Sequence, residues 1–256
     1  MHTITLIGAG NVGYHLGHRL VEIGCTVPQV FSRRMEKARE LATLLGAAPV
    51  NRLDGILPEA DLYILAVADG AIGHVAQELS RILPAEKAVV HCSGATPSTV
   101  LAPFFPRHGV FYPLQTFSRS REPDFSRIPI CVYSPEAGLR EALLELGRLA
   151  GAMAYEADDA QREALHVAAV FANNFSNYLF HVAHEILTQE KLPFSLLQPL
   201  ILETALKVQE HPPREMQTGP ARRGDRATIE RHLEYLQQYP KLAAIYEMLS
   251  KAIQEE

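Results

Sequence analysis

Residues 3–31 read TITLIGAGNVGYHLGHRLVEIGCTVPQVF, and their order decides the fold. TITLI (3–7) has the pattern of a short buried strand. Gly8-Ala9-Gly10-Asn11-Val12-Gly13 follows as G-x-G-x-x-G. Val12, Leu16, Leu20 and Ile23 then share one face of a helix over 11–23, and TVPQVF (26–31) is a second strand. Such a glycine run carries meaning when it joins a strand to an amphipathic helix at the start of a βαβ unit, as here. Gly8 permits the tight turn, Gly10 leaves room for a pyrophosphate against the backbone, and Gly13 lets the helix lie close to the strand. The helix N-terminus offers free N–H groups and a partial positive charge to phosphates. Gly8, Ala9, Gly10, Asn11, Val12 and Gly13 are therefore candidate cofactor-binding residues. The competing reading is a glycine-rich turn with no ligand.

The pattern continues outward. MEKARELATLLG (35–46) is a second helix with Gly46 as its C-terminal cap, and LYILAV (62–67) is a strand apolar enough to be covered on both faces. A third helix covers 71–83, strands cover 88–92, 109–112 and 130–133, and a helix over 136–151 precedes a short strand near 152–156. Strands alternating with helices predict a parallel, doubly wound α/β sheet of the Rossmann kind. Beyond Asp158 the segments 159–189, 195–209, 226–238 and 240–254 read only as helix. The expected division is a dinucleotide-binding domain over 1–155 and an all-helical domain over 156–256.

The end of the second strand selects among dinucleotides. An acid there holds the ribose 2′-OH of NAD. This chain has Phe31-Ser32-Arg33-Arg34, with no acid before Glu36. A hydroxyl and two guanidiniums suit a 2′-phosphate, which points to NADP(H) bound by Ser32, Arg33 and Arg34. Alternatively, the two arginines are a solvated helix start, although cations there oppose the helix dipole unless an anion joins them.

Ligands of doubly wound sheets sit beyond the carboxyl ends of the strands. Here those ends carry Val67-Ala68-Asp69-Gly70, His91-Cys92-Ser93-Gly94 and Tyr112-Pro113-Leu114-Gln115-Thr116-Phe117. Val67, Ala68, Asp69, His91 and Ser93 are candidates to line the cofactor site. For His91 and Ser93 ordinary turn chemistry is the alternative. Asp69 equally suits a cap on the helix at 71–83.

In the stretch ALHVAAVFANNFSNYLFHVAHEIL, an advance of about 100° per residue places His166, Asn173, Asn177, His181 and His184 within about 80° of one another. A solvated face normally carries Lys and Glu. This one carries neutral hydrogen-bonding groups among Ala, Val, Phe and Leu, which suits a pocket or a subunit interface. His166 and Asn173 are the pocket candidates and Asn177 a substrate contact, while His181 and His184 fit structural roles. No third ligand accompanies the histidines, so no metal is expected.

Near the C-terminus, TGPARRGD (218–225) reads as a stiff charged loop before a helix capped by Asp225. Arg222 and Arg223 would project from it, either as a site for an anionic group or as an exposed basic loop.

The whole chain limits what else it could be. Its 256 residues carry a net charge of -5, which implies no general pull toward nucleic acid or anionic membranes. No apolar run approaches the ~20 residues of a membrane span, and no secretory signal pattern opens the chain. Cys25, Cys92 and Cys131 stand far apart in apolar segments, as free thiols in a reducing compartment do, so a cytoplasmic location is the default.

GAGNVG, SRR after the second strand, HCSG, P-L-Q-T-F, LHVAAVFANNF and TGPARRGD occur in this order. The set resembles the Rossmann-like NADP oxidoreductases with a C-terminal DUF2520 domain. It is similar, more distantly, to 6-phosphogluconate and 3-hydroxyisobutyrate dehydrogenases, pyrroline-5-carboxylate reductase and F420-dependent NADP reductase. The resemblance implies an N-terminal NADP domain, a helical C-terminal domain that dimerises, and an active site between them. The hydroxyacid dehydrogenases carry a catalytic lysine on the long helix after the Rossmann domain; this chain has none there, and His166 stands in that region. The expectation is an NADPH-dependent reductase of a small carbonyl or imine. His166 would donate the proton, Asn173 would orient the substrate or nicotinamide amide, and Arg222 and Arg223 would bind an anionic group. The alternative is a non-catalytic NADP(H)-binding sensor or scaffold, and F420 as hydride partner is a third possibility.

Overall fold

The computed structural model describes residues 2–151 and 153–255, which fall into two compact units, 1–173 and 174–256. In the first unit eight strands form one sheet: β1 (Ile4–Ile7), β2 (Gln29–Phe31), β3 (Ala48–Val50), β4 (Leu62–Leu65), β5 (Ala88–His91), β6 (His108–Pro113), β7 (Pro129–Tyr133) and β8 (Met153–Glu156). Their order is β3-β2-β1-β4-β5-β6-β7-β8. The first six strands follow the doubly wound order, all parallel. The order reverses between β1 and β4, where register pairs Ile7 with Leu65 and Leu65 with His91.

The helices are α1 (Asn11–Glu22), α2 (Met35–Leu45), α3 (Ile72–Leu79), α4 (Ala137–Ala150) and α5 (Asp159–Ala169). Strand alternation assigns them to layers. Leu62 and Ile64 of β4 face a cluster that holds Leu16 and Leu20 of α1, Leu41 of α2 and Leu139 of α4. Tyr63 and Leu65 face the opposite cluster, with Ile72, Val75 and Leu79 of α3 and with Leu101 and Phe105. Cover on both faces is why these strands are continuously apolar. Gly46 closes α2 in the left-handed region at φ 66°, as expected from sequence.

The structure adds three details. The sheet is not wholly parallel: β7 runs antiparallel to β6, with Pro113 opposite Ile130, and β8 is parallel to β7. A parallel return needs a crossover, usually helical, and residues 114–128 hold only a 3-10 turn at Phe125–Arg127. Strand β3 went unrecognised because it is short and contains Pro49, which only an edge strand tolerates. The strands do end near residue 156, but the compact units divide at 173/174, so α5 belongs to the first. The strand expected over 152–156 begins on Ala152, which lies outside the described residues.

The second unit holds α6 (Ser176–Gln189), α7 (Gln198–Glu210), α8 (Pro220–Arg223), α9 (Arg226–Tyr235) and α10 (Pro240–Gln254). Few of its described residues are buried, among them Ala221 and Leu236, while Leu196, Leu200 and Leu202 are each about 60% exposed. The TGPARRGD segment is not the loop expected. Pro220 starts one helical turn, and Gly224 at φ 66° ends it. Asp225 then caps α9, accepting from the Thr228 amide at 3.1 Å and the Thr228 hydroxyl at 2.8 Å. Among the described residues no helix is long and apolar enough to cross a membrane.

Candidate active site

The carboxyl ends of β1, β4, β5 and β6 lie along one edge of the sheet, and the polar loops expected there begin on it. At the end of β1 the glycine turn is shaped by what glycine lacks. Gly8 has φ +130°, and a Cβ on it would stand 2.2 Å from the Ala66 carbonyl oxygen of the neighbouring strand end. A Cβ on Gly13 would stand 2.1 Å from the Gly8 oxygen, so α1 is seated against the turn. Gly10 differs: no heavy atom lies within 4 Å of the position its Cβ would take, and the space beside it is open. Gly10 caps α1 without any side-chain bond, and no acid occupies the first helical turn. The amides that follow are thus left for an anion.

Past β2, Ser32 is half-buried and Arg33 and Arg34 are exposed, with no ion-pair partner among the described residues. Two uncompensated guanidiniums and a hydroxyl beside an open glycine turn form a donor set that fits a phosphorylated dinucleotide.

At the end of β4, Val67 is half-buried and Ala68 and Asp69 are exposed. Asp69 opens a 3-10 turn, and α3 is capped by Ala71 without a side-chain bond. The capping alternative for Asp69 therefore fails.

At the end of β5 the expected lining residues turn inward. His91 is fully buried, and its Nδ1 accepts the Ser93 amide at 3.2 Å. Burial, followed by the nearby positive charge of Arg162, pushes its pKa down to about 4. His91 is a neutral core group and lines no open pocket. The Ser93 hydroxyl accepts from the amides of Ala95 and Thr96 and donates to the Thr96 hydroxyl at 3.0 Å. That is turn chemistry, the other reading given above.

His166 does reach this edge. Helix α5 starts with a capping box, in which the Asp158 carboxylate accepts from the Gln161 amide at 2.8 Å and the Gln161 side chain accepts from the Asp158 amide at 3.1 Å. One turn on, Arg162 is 1% exposed and ties the helix to the loop after β5. Its Nη1 donates to Asp159 at 2.9 Å, and its Nη2 donates to the Thr96 carbonyl. Asp159 accepts from the Ser98 amide at 2.9 Å and the Ser98 hydroxyl at 3.0 Å. Burial alone would raise the Asp159 pKa, but the Ser98 and Arg162 bonds outweigh it and hold the carboxyl below its ordinary range. So anchored, α5 places His166 with Nδ1 3.4 Å from the Tyr112 hydroxyl at the end of β6. Gly94 lies beneath: a Cβ there would stand 2.6 Å from His166 Nδ1 and 2.8 Å from Tyr112 Cζ. Burial raises the pKa of Tyr112, so the phenol stays protonated at neutral pH.

The rest of the polar stripe is rearranged. Val170–Phe175 is a π-helical turn, whose i→i+5 bonds break the constant 100° advance that aligned His166 with Asn173, Asn177, His181 and His184. Asn173 is exposed in that turn, and Asn177 is exposed in the second unit. There His181 lies 3.6 Å from Glu185, and His184 meets the Phe194 ring edge-on at 5.3 Å. Arg222 and Arg223 are exposed on α8. No three His, Cys, Asp or Glu residues among those described are placed to hold a metal ion.

Sequence reasoning missed Arg162, Gly94 and Tyr112. The signal for Arg162 was its spacing of three from Asp159. For Gly94 and Tyr112 it was their place at strand ends.

Comparison with known proteins gives the family and the fold. Residues 3–94 match the family described as NADP oxidoreductase coenzyme F420-dependent, and residues 128–253 match a domain of unknown function, DUF2520. A structure from Bacteroides fragilis, provisionally named an NADP oxidoreductase, is 40% identical, with 100% of this chain and 98% of that one covered at a TM-score of 0.94. A Thermotoga maritima protein shares the fold at 21% identity, covering 98% and 97% of the two chains, TM-score 0.76. An imine reductase from Myxococcus stipitatus, in complex with NADP+, shares it at 17% identity, covering 99% and 93%, TM-score 0.70. No curated protein matches. The chain belongs to the NADP-dependent oxidoreductases of the Rossmann class that carry a DUF2520 domain.

Proposed function

We propose that the chain binds NADPH at the glycine turn and reduces a small carbonyl or imine, with His166 as the proton donor. The observation that carries the reading is the placement of the His166 imidazole beside Gly94 and the Tyr112 hydroxyl, on the same strand-end edge as the open Gly10. A dinucleotide in the turn supplies a hydride; the chain supplies orientation and a proton. The amides after Gly10 hold the pyrophosphate. Ser32, Arg33 and Arg34 hold the 2′-phosphate, while Val67, Ala68 and Asp69 border the cofactor. His166 protonates the developing alkoxide or amine nitrogen, histidine being the residue type that titrates nearest neutrality. The Tyr112 oxygen, 3.4 Å from Nδ1, accepts from that N–H of the charged imidazole and orients the ring. Asn173 orients the substrate. In the helical unit, Asn177, Arg222 and Arg223 are the candidates to bind an anionic group, and the exposed leucines pair with a second copy of the chain.

The test is loss of NADPH absorbance over a panel of keto acids, imines and aldehydes, with His166→Ala in parallel. Turnover that falls at least about 100-fold in the variant while NADPH affinity stays put supports the assignment. Saturable NADPH binding with no turnover on any substrate points instead to a sensor, and equal turnover in the variant removes His166 from the mechanism.

A further inference from the structure

The segment joining β6 to β7 folds over the glycine turn instead of returning directly. The Phe117 carbonyl accepts from the Asn11 side-chain amide at 3.0 Å, and the Ser118 carbonyl lies 3.0 Å from His15 Nε2. Phe117 stacks on the His15 ring at 5.6 Å and packs against Phe125 at 5.9 Å. This strap delivers Arg119. Its Nη2 donates to the Ala9 carbonyl at 2.9 Å, between the first two glycines of the motif, and its Nη1 donates to Glu40 of α2 at 2.6 Å. The guanidinium carbon lies 4.7 Å from the centre of the Tyr14 ring, which supports its plane.

We propose that Arg119 is a cofactor-binding residue that grips the dinucleotide pyrophosphate, with Glu40 holding it in place until the cofactor arrives. The inference rests on the NADP(H) reading above. A guanidinium has five donors in a planar fork, and two groups engage this one. The Ala9 bond fixes the charge at the turn whose amides face the pyrophosphate, rather than at Ser32–Arg34, where the 2′-phosphate is read. The Glu40 carboxylate is half exposed, so its ion pair is weak and exchangeable. A pyrophosphate offers a stronger, charge-assisted fork-to-oxygen match.

The test is nucleotide-fluorescence titration of the full chain with NADPH and NADH. Arg119→Ala should weaken both ligands alike, by about 10-fold or more, and Arg119→Lys should do so by less because the fork is lost and the charge kept. Glu40→Gln should tighten both by about 2-fold or more, since a competing anion is removed. Unchanged affinities in a folded Arg119→Ala, or a loss confined to NADPH, would overturn the assignment. If Arg119→Ala fails to fold, Glu40→Gln decides: weaker or unchanged binding rejects the proposal. Wild-type protein that binds neither nucleotide defeats the underlying reading as well, whereas wild-type binding with an indifferent Arg119→Ala defeats this inference alone.

Discussion

His166 and Gly94 meet at the edge of the sheet so closely that a methyl group on Gly94 would lie 2.6 Å from the imidazole Nδ1. The absence of a side chain at Gly94 is what lets His166 and Tyr112 come together. Gly94→Ala should therefore push the imidazole aside. Turnover should fall by about 10- to 100-fold, as displacements near 1 Å do elsewhere, while NADPH affinity stays within about 2-fold. Paired kinetics and nucleotide titration check both halves of that expectation.

The Asp159–Arg162 pair should be a stability determinant with an asymmetric response. Asp159→Asn leaves a guanidinium at 1% exposure without its counter-charge and should cost about 2–4 kcal/mol. Arg162→Met replaces the cation by an apolar group of similar length. It leaves Asp159 its two Ser98 donors, so it should cost less, about 1–2 kcal/mol. Denaturant unfolding of the two variants checks the order. The carboxyl pKa is depressed from 3.8, so the stability it contributes is present above that value and lost as the pH falls further.

His91 should make stability depend on pH in a higher window. The folded pKa is near 4 against 6.5 for the free side chain, so between these values the unfolded chain binds a proton that the folded one refuses. Stability should fall as the pH drops from 6.5 toward 4, by up to about 1.4 kcal/mol per unit from this group. His91→Gln should flatten that part of the profile, as seen in thermal melts at closely spaced pH.

Gly13→Ala places a methyl 2.1 Å from a backbone oxygen that cannot swing away. Helix α1 must then lift off the turn, and the change should cost about 1–3 kcal/mol and loosen NADPH binding by about 10-fold or more. Calorimetry together with titration reads both effects.

The glycine turn was legible in the sequence because its chemistry is backbone chemistry, written in residues that lack a side chain. Strands β1, β2, β4, β5 and β6 were legible because burial on both faces leaves largely apolar runs. What escaped depends on contacts between distant segments. Arg162 looks like any helical surface arginine until the loop at Thr96 and Ser98 closes over it. Arg119 sits in a segment with no periodic pattern, and its meaning comes from Ala9 and Glu40, both far away in sequence. The antiparallel turn of β7 depends on a helix that residues 114–128 do not form. The π turn at Val170–Phe175 shifted the polar stripe, and no propensity of Phe, Ala or Asn announces such a turn. His91 was read as a lining residue because polar groups at strand ends usually face out, but its ring turns into the core.

The central claim is that the open turn at Gly10 holds a dinucleotide whose 2′-phosphate is read by Ser32, Arg33 and Arg34. Isothermal titration of the wild-type chain and of Arg33→Ala with NADPH and NADH tests it most directly. The account predicts saturable binding of both by the wild type, with NADPH the tighter by about 10-fold or more, and loss of that preference in Arg33→Ala with NADH affinity unchanged. Heat signals that stay flat for both nucleotides at millimolar concentration, or a preference for NADH, would contradict it.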